Sequence, residues 1–436
     1  MSFDRQILRS EVLKMSLIVQ KFGGSSLATI NHINHVADLI AKAKQAGHEL
    51  VVIVSAMQGE TDKLINLAKQ VHASPNPREY AALLATGEQA SMSLIAMALL
   101  ARDIQAKSYT GWQARIQTND QFKNARIDAI DTKPILSTLA TGAVVVIAGF
   151  QGIDNNENIT ILGRGGSDTT AVAIAAALGA DECQIYTDVD GIYTTDPKIV
   201  PDAQRLAQVS FEEMLELASL GTKVLQIRAV EFAGKYKIPL RVLSSIHGGP
   251  GTLITYQQPK NLATTFVAGI ACSRNEGTIA ITGIPDTPGI AAHILAELSC
   301  LDVNIDMMVQ YMAPNNTIDF VFTVALDEHV TTMQHLKKIA TSVGASDIKG
   351  ATGFAKISVV GTGLKNHPEV ATQMFRTLAT MGINIKLITT SEIKISVLID
   401  ADFLEIGTVA LHNIFKLSFS TNDDNILLTP KIQSAS

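Results

Sequence analysis

Leu17-Ile18-Val19-Gln20-Lys21-Phe22-Gly23-Gly24-Ser25-Ser26 decides the architecture of the amino-terminal half. Leu17 to Gln20 reads as a short buried strand, and Phe22-Gly23-Gly24 breaks it. Ser25 and Ser26 can cap a helix that runs to about Gln45, where Gly47 ends it. Working outward, Leu50 to Val54 is an aliphatic strand, Glu88 to Ala101 carries a helical pattern, and Ala143 to Ala148 is a further apolar strand. Thr160 to Leu162 forms a short strand before the loop Gly163-Arg164-Gly165-Gly166-Ser167, which leads into a helix over Asp168 to Leu178 and a strand over Gln184 to Thr187. Strands alternating with helices as far as about Leu243 predict an α/β domain with a mostly parallel sheet covered by helices on both faces.

Composition narrows the function classes. The 436 residues are 47% hydrophobic and 17% charged, enough apolar material for more than one core. A net charge of −6 argues against a nucleic-acid binder. Cys183, Cys272 and Cys300 are far apart and form neither a disulfide framework nor a zinc site, which fits a reducing cytoplasm. The apolar run Ala171 to Leu178 is too short to span a bilayer, so no membrane partner is expected. Residues 1–14 lack the apolar segment of a signal peptide and read as an extension; Met15, just before the first strand, is an alternative start.

Beyond about Leu262 the texture changes and an internal repeat emerges. Gly277 to Gly283 is strand-like, Asp286-Thr287-Pro288-Gly289 leads into a helix over Ile290 to Ser299, and Val303-Asn304-Ile305 follows. About 80 residues on, the same order recurs: strand-like Lys356 to Gly361, the turn Asn366-His367-Pro368-Glu369, a helix over Val370 to Thr380, then Ile383-Asn384-Ile385. Two ferredoxin-like βαββαβ modules are the expected fold. The expected domains are therefore 15–262, 263–345 and 346–436, the last with a tail.

The chain has no G-x-x-x-x-G-K-[ST] sequence, so phosphate would have to be handled elsewhere. Two strand-to-helix turns carry glycines and small hydroxyls: Gly23-Gly24-Ser25-Ser26 and Gly163 to Ser167. Glycines let backbone approach a polyphosphate, and helix amino-termini present free N–H groups. Each turn lies beside a cation: Lys21 at the carboxyl end of the first strand, where α/β sheets place ligands, and Arg164 inside the second loop.

Together with Val54-Ser55-Ala56-Met57, Thr86-Gly87-Glu88 and the segment from Thr187-Asp188-Val189-Asp190-Gly191 to Asp196-Pro197, these turns resemble the aspartokinases of the amino-acid kinase family. The resemblance runs from Met15 to about residue 420, and the repeated modules resemble ACT domains, one of which is often inserted into the other. Phe266 to Cys272 can then be a strand of the second module. The resemblance implies ATP- and Mg²⁺-dependent phosphorylation of the side chain of L-aspartate to 4-phospho-L-aspartate, the first step toward lysine, threonine and methionine. It also implies a monofunctional chain, feedback by threonine, lysine or both, and a homo-oligomer formed through the ACT modules; it leaves open an ACT-only companion subunit.

Elementary chemistry agrees. A substrate carboxylate with a pKa of about 4 is already ionised at neutral pH, so no general base is needed and none of the ten histidines has to be catalytic. The demand is for cations, N–H groups and a metal that bring an anion to a polyanion. With the resemblance, Lys21 would contact the transferred group, Arg164 would hold the substrate α-carboxylate and Glu88 its ammonium. Ser55, Thr61 and Ser167 would line the substrate pocket, and Asp168 would orient Lys21 or reach Mg²⁺ through water; a helix cap is the other reading of Asp168 and Ser55. Helix-dipole complementarity is the other reading of Glu88.

Gly23, Gly24, Gly165 and Gly166 would cradle phosphates, and Thr187, Asp188, Tyr193, Asp196, Lys198 and Lys223 would bind the nucleotide. Asp188-Val189-Asp190-Gly191 is a turn rather than calcium-binding, since the roughly twelve-residue loop with its closing glutamate is lacking. Effector candidates are Asp286, Gly289, Ala291, Asn304, Asp306 and Gln310 in the first module, with Asn384, Ile385 and Thr390 in the second. His32 and His35 read as surface residues and Trp112 as core. Two alternatives stay open: a kinase of another small carboxylate, and a non-catalytic amino-acid-sensing subunit.

Overall fold

The computed structural model describes residues 16–219, 225–256, 266–301, 303–314 and 316–418. They divide into two compact units. The first takes the described residues up to Ile192, Arg205–Ala218 and those up to Tyr256; the second takes Tyr193–Gln204 and the described residues from Phe266 onward. The expected extension 1–14, the boundary near 262 and Lys223 lie outside the described residues.

In the first unit the strands are β1 (Leu17–Phe22), β2 (Glu49–Val54), β3 (Ala106–Tyr109), β4 (Ile116–Thr118), β5 (Ile127–Ile130), β6 (Val144–Ala148), β7 (Gln151–Ile153), β8 (Ile159–Ile161), β9 (Glu182–Thr187), β10 (Gln208–Ser210), β11 (Leu240–Ser244) and β12 (Thr252–Thr255). The helices are α1 (Ile30–Gln45), α2 (Glu60–Val71), α3 (Pro77–Leu100), α4 (Lys133–Leu139), α5 (Gly166–Leu178), α6 (Phe211–Ser219) and α7 (Ile227–Tyr236). The main sheet has the order β10-β12-β11-β9-β1-β2-β6-β3, and β4, β5, β7 and β8 form a smaller one. Its centre is parallel, β1 pairing with β2 on one side and β9 on the other; β12 is antiparallel to β11 and parallel to β10, so these two edge strands run opposite to the rest. Because the chain leaves β1 toward one side of the sheet and later returns on the other, the carboxyl end of β1 is the switch point where such sheets bind ligands.

Side-chain alternation along β1 explains how it serves both core and site. Ile18 and Phe22 join Val36 and Ile40 of α1 and Ile95 and Leu99 of α3 in one apolar cluster. Phe22 is fully buried and stacks on Tyr186, ring centroids 4.6 Å apart; burying such a ring is worth about 2–3 kcal/mol. The period of two then turns Lys21 to the opposite face, where α5 packs on β1.

Two sequence expectations are corrected here. Ser25 and Ser26 do not cap α1; they open a separate 3₁₀ turn, Ser25–Leu27, and Thr29 caps α1 through its side chain. The helix expected from Glu88 begins at Pro77, capped by Asn76. At 24 residues it is long and apolar enough by length and composition to cross a bilayer, which the sequence reading did not find; half of its most apolar window is buried within the fold.

The second unit carries β13 (Gly269–Pro285), α8 (Ile290–Ser299), β14 (Met308–Ala313), β15 (Thr317–Ala325), α9 (Leu326–Ile339), β16 (Asp347–Val360), α10 (Pro368–Thr380), β17 (Leu387–Thr390), β18 (Lys394–Asp400) and α11 (Leu404–Ile414). Its six strands form one antiparallel sheet, β14-β15-β13-β16-β18-β17, and its four helices pack on that sheet. The two central strands are long and shared. Gly269–Ser273 pairs with Lys356–Val360, and beyond a bulge Thr278–Thr282 pairs with Asp347–Ala351. Two cores follow from this. Ile279, Ile281 and Ile284 pack with α8, α9 and β15, whereas Val267 and Ile270 pack with α10, α11 and β18. The strand at the start of β13 thus sits in the second module's core although it precedes the first in sequence.

Candidate active site

A cavity of about 470 Å³ in the first unit is walled by the turns after β1 and β2, by α3 and by the loop that opens α5. Of the residues singled out in the sequence, Lys21, Gly24, Ser55, Thr61, Glu88, Arg164, Gly165, Gly166, Ser167 and Asp168 line it. So do Ser25, Ala56, Met57 and Gly163, which the sequence placed in its turns and motifs, and Gln58, Gly59, Asp62 and Phe150, to which it gave no role. Gln58, between β2 and α2, and Asp62, in the first turn of α2, could have been suspected because this is the same kind of strand-to-helix turn as the two glycine loops.

Lys21 reaches across from β1 to Asp168 in the first turn of α5, Nζ to Oδ1 2.5 Å, each side chain about one-tenth exposed. The N-cap of α5 is Gly165, so the capping alternative for Asp168 does not hold; its carboxylate faces the lysine and complements the helix dipole. Gly163 and Gly165 adopt φ of 77° and 71°, the left-handed region that favours glycine, and a Cβ on either would run into Asn124 or Gln226. Arg164 between them is exposed and has no acidic partner among the described residues. Gly23 sits just behind Lys21, its position for a Cβ 3.5 Å from Nζ.

Glu88 lies in the middle of α3, which removes the dipole alternative, and is 4% exposed. Its Oε1 accepts the Ala56 backbone N–H at 3.2 Å, while its buried Oε2 has no hydrogen-bond partner among the described residues. Burial pushes its pKa from 4.5 up to about 7, against a smaller downward pull from backbone N–H groups. A buried carboxylate with one idle oxygen on a cavity wall is built to receive a cationic donor. Ser55 does not cap α2, whose N-cap is Gly59.

The nucleotide candidates are divided. Thr187, which ends β9, donates its hydroxyl to Asp188 at 2.9 Å, and both belong to the first unit. Tyr193, Asp196 and Lys198 belong to the second, in the segment Tyr193–Gln204. There Thr194 accepts the Ile270 N–H on its carbonyl and contacts the buried His412 Nε2 through its hydroxyl at 2.9 Å.

The effector candidates do not share one cavity. Asp286 and Gly289 are exposed at the amino end of α8, Ala291 is half-buried, and Asn304 and Gln310 are exposed around β14. Asn384 is exposed and Ile385 half-buried before β17. Thr390 lines a second cavity, about 400 Å³, with Leu364, Lys365, Pro368, Ala371, Ser391, Glu392 and Ile395. Asp306 is already paired: it contacts the Lys356 ammonium and lies 4.0 Å from that of Lys394. His35, read as a surface residue, places Nε2 2.9 Å from the Ser245 carbonyl; Trp112, read as core, is half-buried.

No three His, Cys, Asp or Glu side chains cluster as a metal cage among the described residues. Magnesium needs only one or two carboxylates beside substrate phosphates; besides Glu88, the acidic side chains on the cavity wall are Asp62 and Asp168, the latter paired with Lys21.

Comparison with known proteins identifies the family. Residues 16–244 match the amino acid kinase family, and residues 357–415 match an ACT domain. An aspartate kinase of Stutzerimonas stutzeri is 54% identical over 403 residues, 92% of this chain and 98% of that protein. An aspartokinase of Mycolicibacterium smegmatis is 44% identical over 407 residues, 92% of this chain and 97% of that protein. Among solved structures, aspartate kinase from Synechocystis is 42% identical, covering 93% of this chain and 70% of that one with a TM-score of 0.52. Aspartokinase III of E. coli, in complex with aspartate and ADP, shares the fold at 24% identity, with a TM-score of 0.73 over 91% of this chain and 99% of that one. With relatives this similar over nearly their whole length, the chain belongs to the aspartokinases of the amino acid kinase family.

Proposed function

We propose that the chain is an aspartate kinase that transfers the γ-phosphoryl group of ATP to the side-chain carboxylate of L-aspartate, giving 4-phospho-L-aspartate and ADP. The observation that carries this is Glu88: a buried carboxylate with an idle oxygen, on the wall that also presents Arg164 and the Lys21–Asp168 pair. An amino acid has the complementary pair of charges on its α-carbon. Glu88 receives the ammonium, and the Arg164 fork takes the α-carboxylate. The side-chain carboxylate is then free to face Lys21, with Ser55, Thr61 and Ser167 supplying hydroxyls.

A carboxylate oxygen of aspartate attacks the γ-phosphorus as the bond to the β,γ-bridging oxygen breaks, and ADP departs with that electron pair. No proton moves at the reacting atoms. The chain's task is to hold two anions together and to stabilise charge on the transferring group, for which Lys21, aimed by Asp168, is the cation. In the two turns Gly23 and Gly166 spend their N–H groups on the Tyr186 and Gly163 carbonyls, which leaves those of Gly24 and Gly165 for the same charge. Asp168 and Asp62 would hold magnesium together with the nucleotide phosphates, where it would add further neutralisation. Thr187 and Asp188 serve the nucleotide end; that role for Tyr193, Asp196, Lys198 and Lys223 rests on the resemblance of their segment.

The second unit supports amino-acid sensing by threonine, lysine or both, with a homo-oligomer formed through the ACT modules in a bacterial cytoplasm. The test is hydroxylamine trapping of the acyl phosphate with ATP, Mg²⁺ and L-aspartate, repeated with threonine and lysine separately and together. A hydroxamate with aspartate, reduced by either effector, is expected. Product with a different acid and none with aspartate overturns the substrate. Effector binding without any turnover favours the sensing-subunit alternative.

A further inference from the structure

The sequence places Ser26 in the first glycine turn and Ser245 after β11, 219 residues away, and the fold brings their hydroxyls to 2.7 Å. Both residues are 3% exposed. Ser26 is not spent on a helix cap, since no side chain caps the turn it opens. Its O–H donates to Ser245 Oγ, and the Ser245 O–H donates in turn to the Thr187 carbonyl at 3.1 Å. The Ser245 backbone N–H donates to the same carbonyl at 2.9 Å. From the other side His35 Nε2 meets the Ser245 carbonyl; a carbonyl can only accept, so Nε2 carries the proton. A second link runs parallel, from the Gly23 N–H to the Tyr186 carbonyl at 3.3 Å.

The chain of donors thus fastens the turn that follows Lys21 to the strand end that carries Thr187 and Asp188, with β11 as the post between them. None of Ser26, His35, Thr187 and Ser245 lines the cavity, so the effect of this hydrogen-bond relay on the reaction is geometric. We propose that Ser245 is a positioning residue: its hydroxyl fixes the separation between the phosphate-side turn at Gly23–Ser26 and the nucleotide-side end of β9. This rests on the aspartate kinase reading for the roles of those two ends. A serine is suited to it because one hydroxyl accepts from Ser26 and donates to Thr187 at once. Alanine removes both bonds and strands the buried Ser26 hydroxyl; threonine keeps both.

The experiment measures ADP affinity by calorimetry, and KM for ATP and for aspartate separately, in the full chain. Ser245→Ala should weaken ADP binding and raise KM for ATP by about tenfold, the size of one net hydrogen bond, with KM for aspartate changed less than about twofold. Ser245→Thr should restore ADP affinity. Ser26→Ala/Ser245→Ala should be no worse than Ser245→Ala, because both act through one chain. Unchanged ADP affinity in Ser245→Ala, or ATP and aspartate KM rising together with a fall in Tm, overturns the assignment. If Ser245→Ala does not fold, Ser26→Ala, which removes only the outer bond, is held to the same split. An inactive wild type would refute the kinase reading, whereas an active wild type with unchanged ADP affinity in both alanine variants would refute only the role of Ser245.

Discussion

Lys21 and Lys356 are both strand lysines paired with carboxylates, one in each unit. Lys21 meets Asp168 at the end of β1, beside a cavity. Lys356 lies within β16 at the seam of the two modules, 4% exposed, touching Asp306 and 3.5 Å from Glu276. It lines neither of the two cavities described. Side-chain chemistry is the same in the two places; topology differs. A lysine at the carboxyl end of a parallel strand projects toward the ligand crevice, whereas one in the middle of an antiparallel sheet is enclosed by neighbouring strands. The first pair is held ready for an outside anion, and the second is satisfied within the protein and ties strands of both modules together.

The largest effect that could break this contrast is catalytic. Lys21→Met should lower kcat by about 10³-fold while Tm changes by no more than a few degrees; turnover near that of the wild type would remove the distinction. Next is stability. Lys356→Met leaves Glu276 without its buried cation and should cost the second unit about 3 kcal/mol, read as loss of hydrogen-exchange protection in β13 and β16. Equal protection in the variant would mean that the seam pair is dispensable.

Glu88 sharpens the contrast from the other direction, as a buried carboxyl with no counter-ion among the described residues. Its pKa is raised from 4.5 to about 7, so the unfolded chain ionises first as pH rises. The folded state is penalised progressively between those values and fully above about 7, by roughly 3 kcal/mol. Glu88→Gln should therefore raise the Tm of the empty protein at pH 8 and not at pH 4, while weakening aspartate binding. A Tm gain equal at both pH values would sink this account. The smallest effect belongs to the exposed pair Lys349–Asp347, 3.2 Å apart. Lys349→Ala should leave both turnover and Tm unchanged within error, since surface ion pairs are screened.

Much of this was legible in the sequence because it is local. Apolar runs ending in glycine turns located β1, β2, β6, β9 and the start of α5, and the repeated turn, helix and Asn-Ile order located both modules. Three features were not legible, each for a physical reason. The Ala- and Leu-rich run from Pro77 shows no clear apolar stripe, because that helix has buried neighbours on much of its surface, so its first eleven residues were missed. The strands β13 and β16 each serve two cores, whereas a sequence read in order assigns a strand to one module; only the family resemblance pointed to Phe266 to Cys272 as part of the second, and nothing local marked the sharing of β16. Ser26 looked like a cap because a hydroxyl after a strand usually is one; its partner lies more than 200 residues away, and no local rule reaches that far.

The segment Tyr193–Gln204 has a practical consequence for anyone recombining these proteins. Thr194 takes the Ile270 N–H, its hydroxyl meets His412, and a Cβ at Gly269 would strike its carbonyl at 2.8 Å. A chimera that swaps in a relative's carboxy-terminal half at a crossover near residue 262 would keep this strap from one parent and its mooring from the other. Crossovers that move residues 193–204 together with the modules preserve the fit, so the heritable unit of the second compact unit is discontinuous in the gene.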